Sequence, residues 1–295
     1  MLSTLNQTAT LIPMSFKKTI TTCCLAIVMT TSSQPGAAPE QALVPGGIAI
    51  LDIDDYTPAT HITFDDRKTT IFRQGSDWYA LAGIPLKAKS GTYNFKITQH
   101  DGSTRVKSVA VNNKKYKEQH LTIKNKRKVN PNTQDMERIS KERVRKRDAK
   151  NHWSETYPDV DFIWPVSGPI SSIFGLRRFF NEQERNPHNG LDIAAPEGTD
   201  IQAVADGTVI ESGDFFFSGN MIYVDHGQGL ISLYAHLNRI DVKPGDVLRR
   251  GDIIGAVGQT GRVTGAHLHF AIMTNGVLVD PIYFLPNQQP TAQLQ

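Results

Sequence analysis

Met221-Ile-Tyr-Val-Asp-His-Gly-Gln-Gly-Leu-Ile-Ser-Leu-Tyr-Ala-His-Leu237 holds two short β-rich runs, Met221 to Val224 and Leu230 to Leu237, with glycines between them. The same pattern extends in both directions. Ile201 to Ala205, Thr208 to Glu211, Ile253 to Val257 and Leu268 to Met273 are runs of that kind, punctuated by Gly207, Gly213, Gly219, Gly245, Gly251, Gly255, Gly258, Gly261 and Gly265. Many short strands joined by tight glycine turns predict an all-β domain over 153–295, with little room for a helix.

Upstream, 43–125 also reads as strands. Ile48 to Ile53 alternates around Asp52, and Thr92 to Thr98 places Tyr93, Phe95 and Ile97 on one face. Turn signals at 73–77, 89–91 and 100–103 separate the runs, which predicts a small β-sandwich-like accessory domain. Its His61, His100 and His120 are scattered and form no catalytic constellation. Between the two regions, 126–152 reads as a charged, helical linker, with helix-favouring composition from Thr133 to Lys150 and early Asp135 and Glu137. Only Met136, Ile139 and Val144 are apolar there, a narrow stripe that predicts a solvated helix.

The chain's formal net charge of +3 conceals an asymmetry. Residues 114–150 carry 14 Lys/Arg against 5 Asp/Glu, a local +9, so the rest of the chain stands at 3 − 9 = −6. The basic character belongs to one segment, and without interleaved aromatic residues that segment does not predict nucleic-acid binding. Residues 1–38 read as an export signal: Lys17 and Lys18 precede an apolar run through Leu25, Ala26, Ile27 and Val28, with cleavage after Ala37 or Ala38. Met14 is an alternative start. The run is too short to span a bilayer, and no transmembrane segment is expected in the mature chain. Cys23 and Cys24 both lie in the signal, so the mature chain would have no thiolate ligand and no thiol nucleophile.

Five of the nine histidines fall between His188 and His269. His188-Asn-Gly-Leu-Asp192 spaces an imidazole and a carboxylate by four, and an even spacing in extended chain puts both on one face. His267-Leu-His269 repeats that logic at spacing two, with Leu268 turned to the core. Tyr234-Ala-His236-Leu237 brings another histidine on a separate run. Two imidazoles and one carboxylate make a three-ligand set for catalytic zinc, and further histidines suit proton transfer. Each motif alone is weak, and together in one Gly-rich domain they are not. His226 sits at a turn and reads as structural; His152 precedes the domain and reads as incidental.

Residues 165–284 resemble the catalytic domain of the LytM/lysostaphin-type zinc endopeptidases. Ser172-Ile-Phe-Gly-Leu-Arg177, His188-Asn-Gly-Leu-Asp-Ile-Ala-Ala-Pro-Glu-Gly198, Tyr234-Ala-His-Leu237 and Gly258-Gln-Thr-Gly-Arg-Val-Thr-Gly-Ala-His-Leu-His-Phe270 carry the likeness, in family order. The resemblance implies a Gly-rich antiparallel metallopeptidase sheet and one zinc ion, with His188, Asp192 and His269 as its ligands. It implies His267 and His236 as catalytic flanking groups, one of them the base. It also implies a peptidoglycan substrate, with the periplasm as the expected location and secretion the other. The alternative is a non-catalytic or latent relative that activates a cell-wall amidase; the presence of all five residues favours the enzyme. Two features depart from the family pattern. Arg178 to Pro187 predicts an inserted loop near the metal, and Phe215-Phe216-Phe217 predicts at least one aromatic facing the groove or another domain.

Overall fold

A computed structural model of the chain describes residues 38–287, together with Met1 and Gln289. The expected export signal lies outside them, apart from Met1 and Ala38. Among the described residues no helix is long and apolar enough to cross a membrane.

An antiparallel sheet organises the second half. Its strands run Val247–Leu248, Gly207–Phe215, Gly219–Gly227, Leu230–Leu237, Leu268–Thr274, Leu191–Ile193 and Ile170–Ser172 in spatial order, with Val277–Val279 also paired to Leu268–Thr274. Strand alternation sorts the side chains. Tyr234, Leu268, Phe270 and Ile272 enter one buried cluster, while Leu233, Ala235, Ala271 and Met273 enter another. The sheet is therefore covered on both faces, and each fully buried Leu, Ile or Phe contributes roughly 1.5–3 kcal/mol. His269 shares the parity of Ala271 and Met273.

The first half forms two further sheets. Ile48–Ile53, Asp77–Gly83 and Thr70–Gln74 make one; Arg67–Lys68, His61–Phe64, Gly91–Thr98 and Thr104–Val111 make the other. Ala49, Ile71, Ala80, Ile62, Phe95 and Ile97 from the two sheets share a core. The outer side of the first sheet is not finished in isolation, because Ile48, Phe72 and Leu81 join the large cluster of the second half.

The two halves also share a strand pairing. Glu118–Leu121 lies parallel to Arg177–Phe180, in register Gln119 with Arg178, and Arg177–Phe180 forms a hairpin with Gln183–Glu184. The inserted 178–187 segment is thus an ordered hairpin rather than a loop.

Thr133–Lys150 is an α-helix. Asn132 caps it by accepting from the Asp135 backbone N–H, and Asp135 returns the bond in a capping box. The helix departs from the solvated expectation, being fastened along strand Gly207–Phe215. Arg145 pairs with Glu211 through two hydrogen bonds of 2.6 and 2.9 Å, and Arg138 reaches Asp214 at 2.8 Å. Buried Glu142 accepts the Phe216 backbone N–H. These partners lie 66 to 76 residues away in sequence, beyond the reach of any helical-stripe argument. The aromatic triplet sits under the same contacts. Phe215 and Phe216 are buried beneath Arg145 and Lys128, and Phe217 faces Arg262 at 4.6 Å.

Candidate metal centre

Register brings the site together. In the central sheet Ala235 lies opposite His269, His269 opposite Asp192, and Asp192 opposite Ser172. His188 precedes strand Leu191–Ile193 and is not in it, so the uninterrupted extended run assumed from the spacing is not what positions it. Instead its backbone N–H donates to the Leu176 carbonyl at 2.8 Å and its carbonyl accepts from Gly175 N–H at 2.8 Å. Gly190 then lets the chain pass close to His269: a Cβ there would stand 2.7 Å from Cε1 of that ring and 2.5 Å from the Phe270 carbonyl oxygen.

Three ligand-type atoms converge, all on buried residues. His188 Nε2 is 2.9 Å from Asp192 Oδ1, His269 Nδ1 is 2.7 Å from the same oxygen, and the two nitrogens are 3.1 Å apart. Nδ1 of His188 is 2.7 Å from the Ile173 carbonyl oxygen, which can only accept. The ring proton therefore sits on Nδ1, and Nε2 directs a lone pair at a carboxylate oxygen. Two acceptors at 2.9 Å repel unless a cation lies between them. A tetrahedral ion with ligands at 2.0–2.1 Å separates them by about 3.3 Å, so a few tenths of an ångström of widening would seat one.

The protonation equilibria agree. Burial lowers His188 to about 4, overriding its attraction to Asp192. Burial would raise Asp192, but the facing imidazoles of His188 and His269 hold it well below the ordinary carboxylate range. Both groups thus stay in the ligating form at neutral pH.

Two more imidazoles face the cluster. His236 Nδ1–H donates to the Thr260 carbonyl at 2.8 Å, and His267 Nδ1–H donates to the Gly265 carbonyl at 2.8 Å. Each leaves Nε2 free. His267 Nε2 lies 3.8 Å from Asp192 Oδ1, and the His236 ring centre is 5.0 Å from that of His267. His236 adopts φ of +69°, a left-handed conformation that costs a non-glycine residue about 1 kcal/mol or more. Its N–H bond to Ser218 at 2.9 Å helps to hold that turn. Burial, then the neighbouring His269 and His267, push its basicity well down.

An outer ring supports the cluster. Arg178 Nη2 donates to Asp192 Oδ2 at 2.8 Å and to Ser172 Oγ at 3.1 Å, while its Nε donates to Gln119 Oε1 at 2.9 Å. Ser172 Oγ is also 3.1 Å from His188 Nδ1. Arg178 entered the sequence reading only as the first residue of an insertion, and Gln119 did not enter it. A cation expected beside the aspartate of an HxxxD pair could have pointed to Arg178; no local signal points to Gln119.

The remaining histidines are elsewhere. His226 is buried with both ring nitrogens engaged, by the Asp206 carbonyl at 2.7 Å and Ser232 Oγ at 2.8 Å. His152 lies 3.4 Å from Asp225, and His120 stacks on Phe179.

Comparison with known proteins supplies the family. The model for peptidase family M23 matches residues 186–281, and that for the M23 N-terminal domain matches 41–125. A Pseudomonas aeruginosa crystal structure assigned to peptidase M23 is 35% identical, aligns over 83% of this chain and 95% of its own, and superposes with a TM-score of 0.69. This chain belongs to peptidase family M23. Among curated M23 relatives, the Vibrio cholerae peptidoglycan DD-endopeptidase ShyA is 41% identical over 123 residues, which is 41% of this chain and 27% of that protein. The Neisseria meningitidis DD-carboxypeptidase/endopeptidase Mpg is 42% identical over 113 residues, 38% of this chain and 26% of that one. The alignments span about a quarter of the length of these curated relatives.

Proposed function

We propose that the chain is an exported, periplasmic zinc endopeptidase that hydrolyses peptide bonds in bacterial peptidoglycan. The observation that carries this reading is the convergence of His188 Nε2, Asp192 Oδ1 and His269 Nδ1, the first two meeting lone pair to lone pair, with the imidazoles of His236 and His267 beside them. His188, Asp192 and His269 would hold one zinc ion. Bound there, zinc would polarise the scissile carbonyl and acidify water near neutral pH.

The chain's own groups do the rest. The Ile173 and Ser172 oxygens orient His188, and Arg178 occupies Oδ2 of Asp192, leaving Oδ1 to face His188 and His269. His236 and His267 share the proton transfers: fixed Nδ1–H bonds make each Nε2 an acceptor of the water proton, and a protonated Nε2 can return it to the departing amine. The peptidoglycan assignment draws on the names of the relatives and on the M23 N-terminal region shared with the Pseudomonas structure.

Purified peptidoglycan incubated with the mature, zinc-loaded chain should release muropeptides, with release lost to a chelator and restored by zinc. Mass analysis of the fragments identifies the bond. A folded, zinc-loaded protein that releases nothing would overturn the enzyme reading in favour of an amidase-activating one.

A further inference from the structure

Arg262 is a cation without an anion. Among the described residues its side chain makes one hydrogen bond, Nη1 to the Lys128 carbonyl at 3.3 Å, and no ion pair. Its guanidinium carbon lies 4.5 Å from the centre of the Phe180 ring and 4.6 Å from that of Phe217. Burial lowers its guanidinium to about 10, and the like charges of Arg178 and Arg185 add to the effect. Among the described residues Arg185 likewise pairs with no carboxylate, donating to the Glu184 and Val129 carbonyls and to the side-chain oxygens of Asn130 and Gln183. At Arg262 opens a depression of about 360 Å³ whose wall includes Lys124, Lys128, Gln259 and Arg262, and no Asp or Glu. Burying a guanidinium among like charges is unfavourable, and proteins accept that arrangement chiefly where a ligand completes it.

The position ties this cation to the metal centre. Phe180 is two residues from Arg178 on one strand, so both side chains leave the same face about 7 Å apart. Arg178 touches Asp192, and Phe180 stacks on Arg262. Arg262 is also two residues beyond Thr260, whose carbonyl orients His236. An extended peptide crossing the metal centre would reach it within about three residues. Two aromatic rings pack against the guanidinium, and its Nε and Nη2 make no bond to the described protein. That edge offers the two-pronged geometry that suits a carboxylate.

We propose that Arg262, with Lys124 beside it, forms a carboxylate subsite that takes a free carboxylate of the peptide bound across the metal centre. The proposal rests on the endopeptidase reading and specifies its substrate as acidic on that side. A purely structural Arg262 would serve acidic and neutral peptides alike.

The test uses the full zinc-loaded chain, in wild-type, Arg262→Gln and Arg262→Lys forms. Paired synthetic crosslinked stem peptides are the probes, identical except that one carries free carboxylates and the other amides. Wild type should favour the acid by ~10- to 100-fold, expressed in KM, as expected for charge-assisted bonds. Arg262→Gln should lose that preference while keeping the amide within about 3-fold, and Arg262→Lys should keep part of it. Equal losses on acid and amide, or no wild-type preference, overturn the subsite. Calorimetric binding of the same peptides separates the two readings. Acid-selective binding without cleavage keeps the subsite and sinks the endopeptidase; cleavage without selectivity does the reverse; binding of neither peptide sinks the subsite.

Discussion

The metal cluster is held from two sides by different means. On one side, Asp192 and His269 sit opposite each other in a sheet that is covered on both faces, where strand register alone sets their separation. On the other, Arg178 reaches Asp192 from a short hairpin, whose first strand, Arg177–Phe180, also pairs with Glu118–Leu121 of the first half. The sheet side is fixed by backbone hydrogen bonds and packing. The hairpin side is fixed by polar side chains in a line, Gln119 to Arg178 to Asp192. Rigid sheets supply geometry, whereas a polar line supplies tuning, so substitutions on the two sides should fail differently.

The largest effect should come from the sheet side. His269→Ala should abolish stoichiometric zinc binding and lower peptidoglycan hydrolysis ~10³-fold or more, read by metal analysis and muropeptide release. If His269→Ala kept a full zinc complement, the sheet side would not be the ligand side.

Acid should act next. In the metal-free protein His188 is lowered to about 4 against an ordinary 6.5. The unfolded chain therefore binds a proton that the folded chain refuses between those values. Its contribution is complete above pH 6.5 and is lost as pH falls towards 4, at most about 3 kcal/mol. Denaturant unfolding of metal-free protein at pH 7 and pH 5 reads this. Stability that rose on acidification would break the account.

Arg178→Ala should weaken zinc affinity ~10- to 100-fold while the fold persists, seen by competition with a chromophoric chelator. Gln119→Ala should do the same more weakly, ~10-fold or less, because it acts through Arg178. A Gln119→Ala, Arg178→Ala double variant no worse than Arg178→Ala alone would show that the two act in one line. Additive losses would instead mean that Gln119 supports the site independently, through its contact with Ser172.

The contrast also explains what the sequence could convey. Period-two alternation and glycine punctuation carry the strands from Ile201 to Met273, since both are local properties of the chain. The HxxxD and HxH spacings single out four side chains that the fold gathers, and the Tyr234–Leu237 run adds His236, though His188 arrives by pairing with Gly175 and Leu176 rather than by strand alternation. Gln119 sits 59 residues before Arg178 in a short polar strand, and parallel pairing across that separation leaves no periodic trace. The helix was legible as a helix from its composition. Its attachment was not, because Arg145 and Arg138 find their partners on a distant strand.

The parallel pairing of Glu118–Leu121 with Arg177–Phe180 bears on anyone recombining such chains. A chimera joined near residue 125 would keep every proposed zinc ligand yet replace Gln119 and the strand beside Arg178 with foreign sequence. A seam upstream of Glu118 would carry that strand along with the peptidase. For this scaffold, the transplantable cassette begins well before its first histidine ligand.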